Sequence, residues 1–194
     1  MTIARYCLLT FLLTLICSPS FGNVLLFTID SCRADRFGVY GANPSNTPNI
    51  DRWAKSGTVI ARAHSTSAWT APGLVSILTG LYPPAHGVNN RDRMGSPELQ
   101  TILKLARDAG YTVPNLNFFT FAPYYKNLGL PEINREYFGE REESPLLNWL
   151  DQHLKDSNTE NPFFVWFHTT IVHQPYRPAP ESLPDTLENL EKRP

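Results

Sequence analysis

Two short runs constrain this chain more than anything else in it: NVLLFTID, from Asn23 to Asp30, and NPFFVWFH, from Asn161 to His168. Both are nearly continuous in apolar residues, the pattern of a strand covered on both faces. Such strands need helices above and below them. The intervening sequence supplies four helical patterns. The first starts at Thr47, with Pro48 in its first turn and Gly57 as its stop, and the second spans APGLVSILTG and ends at Gly80. LQTILKLARDAG puts Leu99, Ile102, Leu103 and Ala106 on one face, and a last helix runs from Ser144 through Leu146, Leu147, Leu150 and Leu154. TVIARAHSTS and YTVPNLNF read as further strands, and SCRADRFGVYGANPSNTP as a long loop. Strands alternating with helices predict an α/β sandwich around a largely parallel sheet.

Seventeen Lys and Arg against eighteen Asp and Glu leave no positive excess for a nucleic acid backbone or an acidic membrane surface, so nucleic acid is not expected as a partner. Residues 1–22 place Arg5 before an eleven-residue apolar run, Cys7 to Cys17, with Ser20 and Gly22 three and one before a cut. This is the three-part layout of a secretory signal peptide, so the chain is expected to be exported and to begin, once processed, at Asn23. An uncleaved anchor is the alternative, although eleven apolar residues fall short of the about 20 that span a bilayer core. Membrane contact is expected only through this segment. Its removal takes Cys7 and Cys17 and leaves Cys32 alone, which excludes an intrachain disulfide and reads as an inert packing group. The last eighteen residues, with four prolines, read as a loop cut off in mid-course.

Ligands of open α/β sheets sit beyond the carboxyl ends of the strands, so the polar residues there belong together: Asp30, Thr70 with its helix, and the pair His168 and His173. Asp30 suits a hard divalent cation such as Ca²⁺ or Mg²⁺, or else caps a loop amide. Thr70 lies two residues before Pro72 at the mouth of a helix whose free amides and positive dipole end favour an anion. Its hydroxyl there can attack a tetrahedral oxyanion, helped by a nearby metal, or it can serve as an ordinary N-cap. His86, after YPP, reads as a surface turn histidine, and His173, in HQPYRP, is ambiguous on its own.

Four blocks in order resemble the successive N-terminal blocks of the sulfatase family, in the alkaline phosphatase superfamily: NVLLFTIDSCRADRFGVYG, TPNIDRWAKSG, SAWTAPGLVSILTGLYPPAHGV and FFVWFHTTIVHQPYRP. The resemblance covers nearly all of the chain after residue 22. It implies a large mixed, largely parallel sheet between helices, a divalent metal, usually Ca²⁺, and hydrolysis of sulfate esters. Residues 23–194 would be the N-terminal part of such a catalytic domain, truncated before the segment that supplies the family's remaining metal ligands and a late lysine. By matching positions, Asp30 is implied as a metal ligand, Thr70 as the nucleophile beside that metal, and His86 and His173 as contacts of the sulfate or the leaving oxygen.

Three departures qualify this. The family places Cys or Ser in a C/S-x-P-x-R motif and oxidises it to formylglycine, whereas this chain has Thr70, Ala71, Pro72, Gly73 and Leu74. Threonine carries a methyl group on its β-carbon, so its oxidation yields a ketone and no formylglycine is expected. The motif arginine is Leu74, and the second acid that often follows the first metal ligand is Ser31, which removes one anionic ligand. The leading expectation is a metal-dependent, sulfatase-like hydrolase of small-molecule or glycan sulfate esters, with these 194 residues alone binding metal poorly and turning over little. A second is a phosphodiesterase or phosphoryl transferase in which unmodified Thr70 attacks phosphorus. A third is a non-catalytic exported remnant that binds sulfated or phosphorylated glycans.

Overall fold

The computed structural model describes residues 22–118, 122–139, 142–155 and 161–173. The expected export signal, up to residue 21, and the proline-rich end lie outside them. Both apolar runs are strands: β1 (Val24–Ile29) and β2 (Phe164–Thr169) pair in parallel, with Val24 opposite Phe164 and Thr28 opposite His168. Around them stand α1 (Pro48–Ala54), α2 (Thr70–Thr79), the single turn α3 (Pro83–His86), α4 (Ile102–Asp108) and α5 (Ser144–Lys155).

β2 is buried along its whole length, and its side chains alternate between two apolar clusters. Phe164 and Trp166 pack with Val75 and Leu78 of α2 and Leu103 and Ala106 of α4, whereas Val165 and Phe167 pack with Leu146 and Trp149 of α5. Helices therefore cover both faces, as a continuous apolar strand requires. Each side chain so buried contributes roughly 1.5–3 kcal/mol relative to exposure. The helices stop where their sequences say they should: α2 ends on Gly80 in the left-handed region at φ 71°, and α4 starts on Thr101, whose side chain accepts from the Lys104 amide.

β1 departs from the expectation of burial on both faces. Val24, Leu25 and Phe27 are exposed, Phe27 by 45%. Among the described residues β1 has a neighbour only in β2, so its other edge and much of its α5-side face lack a covering layer. The predicted loop after β1 is organised as two short 3-10 turns, Ala34–Arg36 and Gly38–Tyr40. Asp51 of α1 ties it down by accepting from the Val39 amide, Ser45 and Thr47.

Two predicted strands do not form. Residues 58–67 run without a partner strand, with Val59 and Ile60 exposed. In 111–118 only Thr112 bridges, to Phe163, because Pro114 lacks the amide that would continue a ladder. Fully buried Asn117 takes the place of a strand further along. Its Oδ1 accepts from the His168 amide at 2.7 Å and its Nδ2 donates to the Trp166 carbonyl at 3.0 Å, which satisfies that edge of β2.

Candidate active site

The alternation of a strand decides which side chains meet. Leu26 packs into the cluster on the α2 side, and Thr28 and Asp30 follow it at steps of two on the same face. Across the register, His168 lies opposite Thr28, two residues beyond Trp166 of that cluster. α2 packs against this face and begins at Thr70. Asp30, Thr70 and His168 thus converge at the carboxyl ends of both strands, where α/β sheets hold their ligands.

Thr70 is the first residue of α2, and Trp69 occupies the N-cap position, so the threonyl hydroxyl is not used as a cap. It donates instead to Asp30, 3.0 Å from Oδ2 and 3.2 Å from Oδ1. Ser31, at φ 55°, donates to Asp30 Oδ1 at 3.3 Å. His168, only 3% exposed, brings Nε2 to 3.6 Å from Asp30 Oδ2. Its Nδ1 lies 2.9 Å from Thr28 Oγ1, and that oxygen accepts the Trp166 Nε1 proton at 3.1 Å. The His168 Nε2 atom is buried without a hydrogen-bond partner among the described residues.

Burial pushes the Asp30 carboxyl upward in pKa, but the neighbouring His168 and His173 imidazoles and the hydrogen bond from Thr70 outweigh it. The net shift is downward, and the carboxylate is ionised at neutral pH. Strand-end logic singles out His168, but the family resemblance assigns it no role; the structure sets it against Asp30.

The other expected residues are placed differently. His173 lies exposed in the turn after β2, its amide donating to the Thr170 carbonyl, and its charge reaches Asp30. Glu142 anchors the start of that turn by accepting from the Thr170 amide and hydroxyl. His86 is not brought to Asp30 or Thr70 by any hydrogen bond. It is buried beside α2, with Nδ1 accepting from the Val88 amide at 3.1 Å and Nε2 3.1 Å from Ser76 Oγ. The Val88 bond puts the ring proton on Nε2, a neutral imidazole whose pKa burial lowers. Leu74, at the place of the family's motif arginine, is buried in the α2-side cluster, and Cys32 is a half-buried free thiol.

No group of three or more His, Cys, Asp or Glu side chains gathers around a common point among the described residues. Asp30, Thr70 Oγ1 and His168 Nε2 nonetheless present three donors, with the hydroxyl and the imidazole 3.0–3.6 Å from the carboxylate. Donors about 2.0–2.6 Å from a shared ion have such separations. The set fits one wall of a divalent-cation site, with one negative charge and an imidazole nitrogen that has no hydrogen-bond partner among the described residues.

The sequence profile of the family described as Sulfatase matches residues 22–191. An N-acetylglucosamine-6-O-sulfatase of Bacteroides thetaiotaomicron is 22% identical over 184 residues, covering 83% of this chain and 32% of that protein. An ulvan-active sulfatase of Formosa agariphila is 27% identical over 139 residues, covering 70% and 22%. This chain therefore spans about a third or less of these relatives. Among solved structures, one in complex with its substrate D-glucosamine-2-N,6-O-disulfate superposes with a TM-score of 0.66 at 20% identity, covering 89% of this chain and 38% of that one. A phosphonate monoester hydrolase of Agrobacterium radiobacter superposes with a TM-score of 0.59 at 19% identity, covering 88% and 44%. The chain shares its fold with the matching parts of these two structures.

Proposed function

The chain belongs to the sulfatase family, and from that membership we propose that it is the nucleophile-bearing part of an exported hydrolase of anionic esters, with sulfated glycans as the first substrate class. The observation that carries the chemistry is the Thr70 hydroxyl, aimed at both oxygens of Asp30 from the first turn of α2. The names of the relatives support the substrate class, and the sequence of residues 1–22 supports export.

Asp30 orients Thr70 Oγ1 and contributes a fixed negative charge. Its lowered pKa makes it a weak proton acceptor, so the carboxylate alone does little to ionise the hydroxyl. A divalent cation held by Asp30 and Thr70, Ca²⁺ or Mg²⁺ by family resemblance, supplies the charge that lowers a hydroxyl pKa and offsets charge on the transferred group. The amides and positive dipole end of α2 favour the oxyanion beside Thr70. His173, near enough to Asp30 to influence it, is suited to hold that oxyanion or to protonate the leaving oxygen.

A second reading, hydrolysis or transfer of phosphoryl or phosphonyl groups, is favoured by Thr70 itself, which cannot become formylglycine, and by the phosphonate monoester hydrolases among the similar folds. Release of phenol from aryl sulfate, phosphate and phosphonate esters by the full-length protein, with Thr70→Ala as control, separates the two. Sulfate turnover that Thr70→Ala abolishes supports the first reading, and a Thr70-dependent preference for phosphorus esters supports the second. Turnover that survives Thr70→Ala rejects both.

A further inference from the structure

We propose that His168 Nε2 is a ligand of the cation at Asp30, so that the site is a mixed imidazole and carboxylate centre that prefers Zn²⁺ over Ca²⁺. The inference rests on the reading that Asp30 holds a cation, and it changes which cation that is.

Three observations carry it. The Nε2 atom is buried, lacks a hydrogen-bond partner among the described residues and faces Asp30 Oδ2 at 3.6 Å, too far for a good hydrogen bond but right for two donors to one ion. The opposite nitrogen is already fixed: Nδ1 lies 2.9 Å from Thr28 Oγ1, an oxygen itself held by the Trp166 indole. When Nδ1 donates to Thr28, the Nε2 lone pair points at a carboxylate, which repels it unless a cation lies between them. A ring whose second nitrogen donates to an oxygen is also the usual arrangement of a ligating histidine. Finally, Ser31, the residue after Asp30, offers a hydroxyl and no charge, so Asp30 is the one carboxylate here among the described residues. Ca²⁺ takes 6–8 oxygen ligands, whereas a neutral imidazole beside one carboxylate suits Zn²⁺ and its neighbours.

The competing arrangement is a proton on Nε2, making His168 and Asp30 a simple ion pair. X-ray absorption of the zinc-loaded full-length protein, with titration of the metal-free protein by Zn²⁺ and Ca²⁺, distinguishes them. The expected result is imidazole scattering in the zinc shell, one imidazole fewer in His168→Gln, and Zn²⁺ bound at least about tenfold more tightly than Ca²⁺. Thr28→Val keeps the ring but removes the oxygen that holds it, and should weaken Zn²⁺ binding by roughly 10–100-fold, while Thr28→Ser should not. An unchanged zinc shell in His168→Gln, a wild-type shell without imidazole, or tighter Ca²⁺ than Zn²⁺ overturns the inference. Should Asp30→Asn still bind either ion as wild type does, the reading of Asp30 fails with it; should Asp30→Asn lose the ion while His168→Gln keeps its coordination, only the role of His168 falls.

Discussion

Thr70 Oγ1 and the Asp30 carboxylate, forty residues apart in sequence, meet at 3.0 and 3.2 Å because β1 ends where α2 begins. The pairing gives the threonine a direction. As the residue after the N-cap it has no backbone amide to satisfy, and a hydroxyl whose proton goes to a carboxylate keeps its oxygen lone pairs available.

Thr70→Ala is therefore expected to lower ester hydrolysis by the full-length protein by at least about 1,000-fold, the order of loss when a nucleophile is removed. Thr70→Ser keeps the hydroxyl and should retain most of the activity. Intact-mass spectrometry of acid-quenched reactions should show a covalent adduct on wild type and none on Thr70→Ala. An alanine variant with near wild-type kcat/KM would remove Thr70 from the chemistry.

The lowered pKa of Asp30 has a sign that can be worked out. Between its native pKa and the unfolded value of about 3.9, the unfolded chain binds more protons, so stability rises with pH there. The contribution is complete above that range and is lost as pH falls through the native value. Urea midpoints of the metal-free protein at pH 6 and pH 2.5 should differ less in Asp30→Asn than in wild type. An equal loss in both would mean that Asp30 gains nothing from His168 and Thr70.

Much of this arrangement is legible in the residues. The two apolar runs announce β1 and β2, Gly80 marks the end of α2, and the strand-end rule collects Asp30, Thr70, His168 and His173 before any fold is known. What local pattern cannot show is partnership. YTVPNLNF has the composition of a strand, but Pro114 breaks its ladder and Asn117 completes the edge through its side chain, which no periodicity reveals. NVLLFTID reads as fully covered, while Val24, Leu25 and Phe27 are exposed and β1 has a neighbour only in β2 among the described residues. The family resemblance implies a substrate contact for His86, yet a histidine two residues before Val88 and ten after Ser76 finds its partners there, at separations a linear motif does not encode.

Asn117 tests that account of the β2 edge. Replacing it with alanine leaves the Trp166 carbonyl and the His168 amide unpaired in the core. At roughly 1–3 kcal/mol for each buried group, Asn117→Ala should cost about 2–6 kcal/mol in urea unfolding. Because it holds the backbone of His168, the variant should also weaken metal binding under conditions where it is still folded. A cost below about 0.5 kcal/mol would show that water or another segment serves this edge.

His86 is expected to behave as a brace for α2 and not as part of the reaction. His86→Ala strips a partner from Ser76 Oγ and from the Val88 amide, both in the interior, and should cost about 2–4 kcal/mol at pH 7.5. Burial lowers the native pKa of the ring below the unfolded value of about 6.5, so the unfolded chain takes up the proton first as pH falls. Wild type should thus lose stability between pH 7.5 and 5.5, and the gap to His86→Ala should narrow over that interval. Activity per folded molecule should stay within a few-fold of wild type at pH 7.5. A variant that unfolds as wild type does but loses turnover by orders of magnitude would instead place His86 at the substrate, as the family resemblance implies.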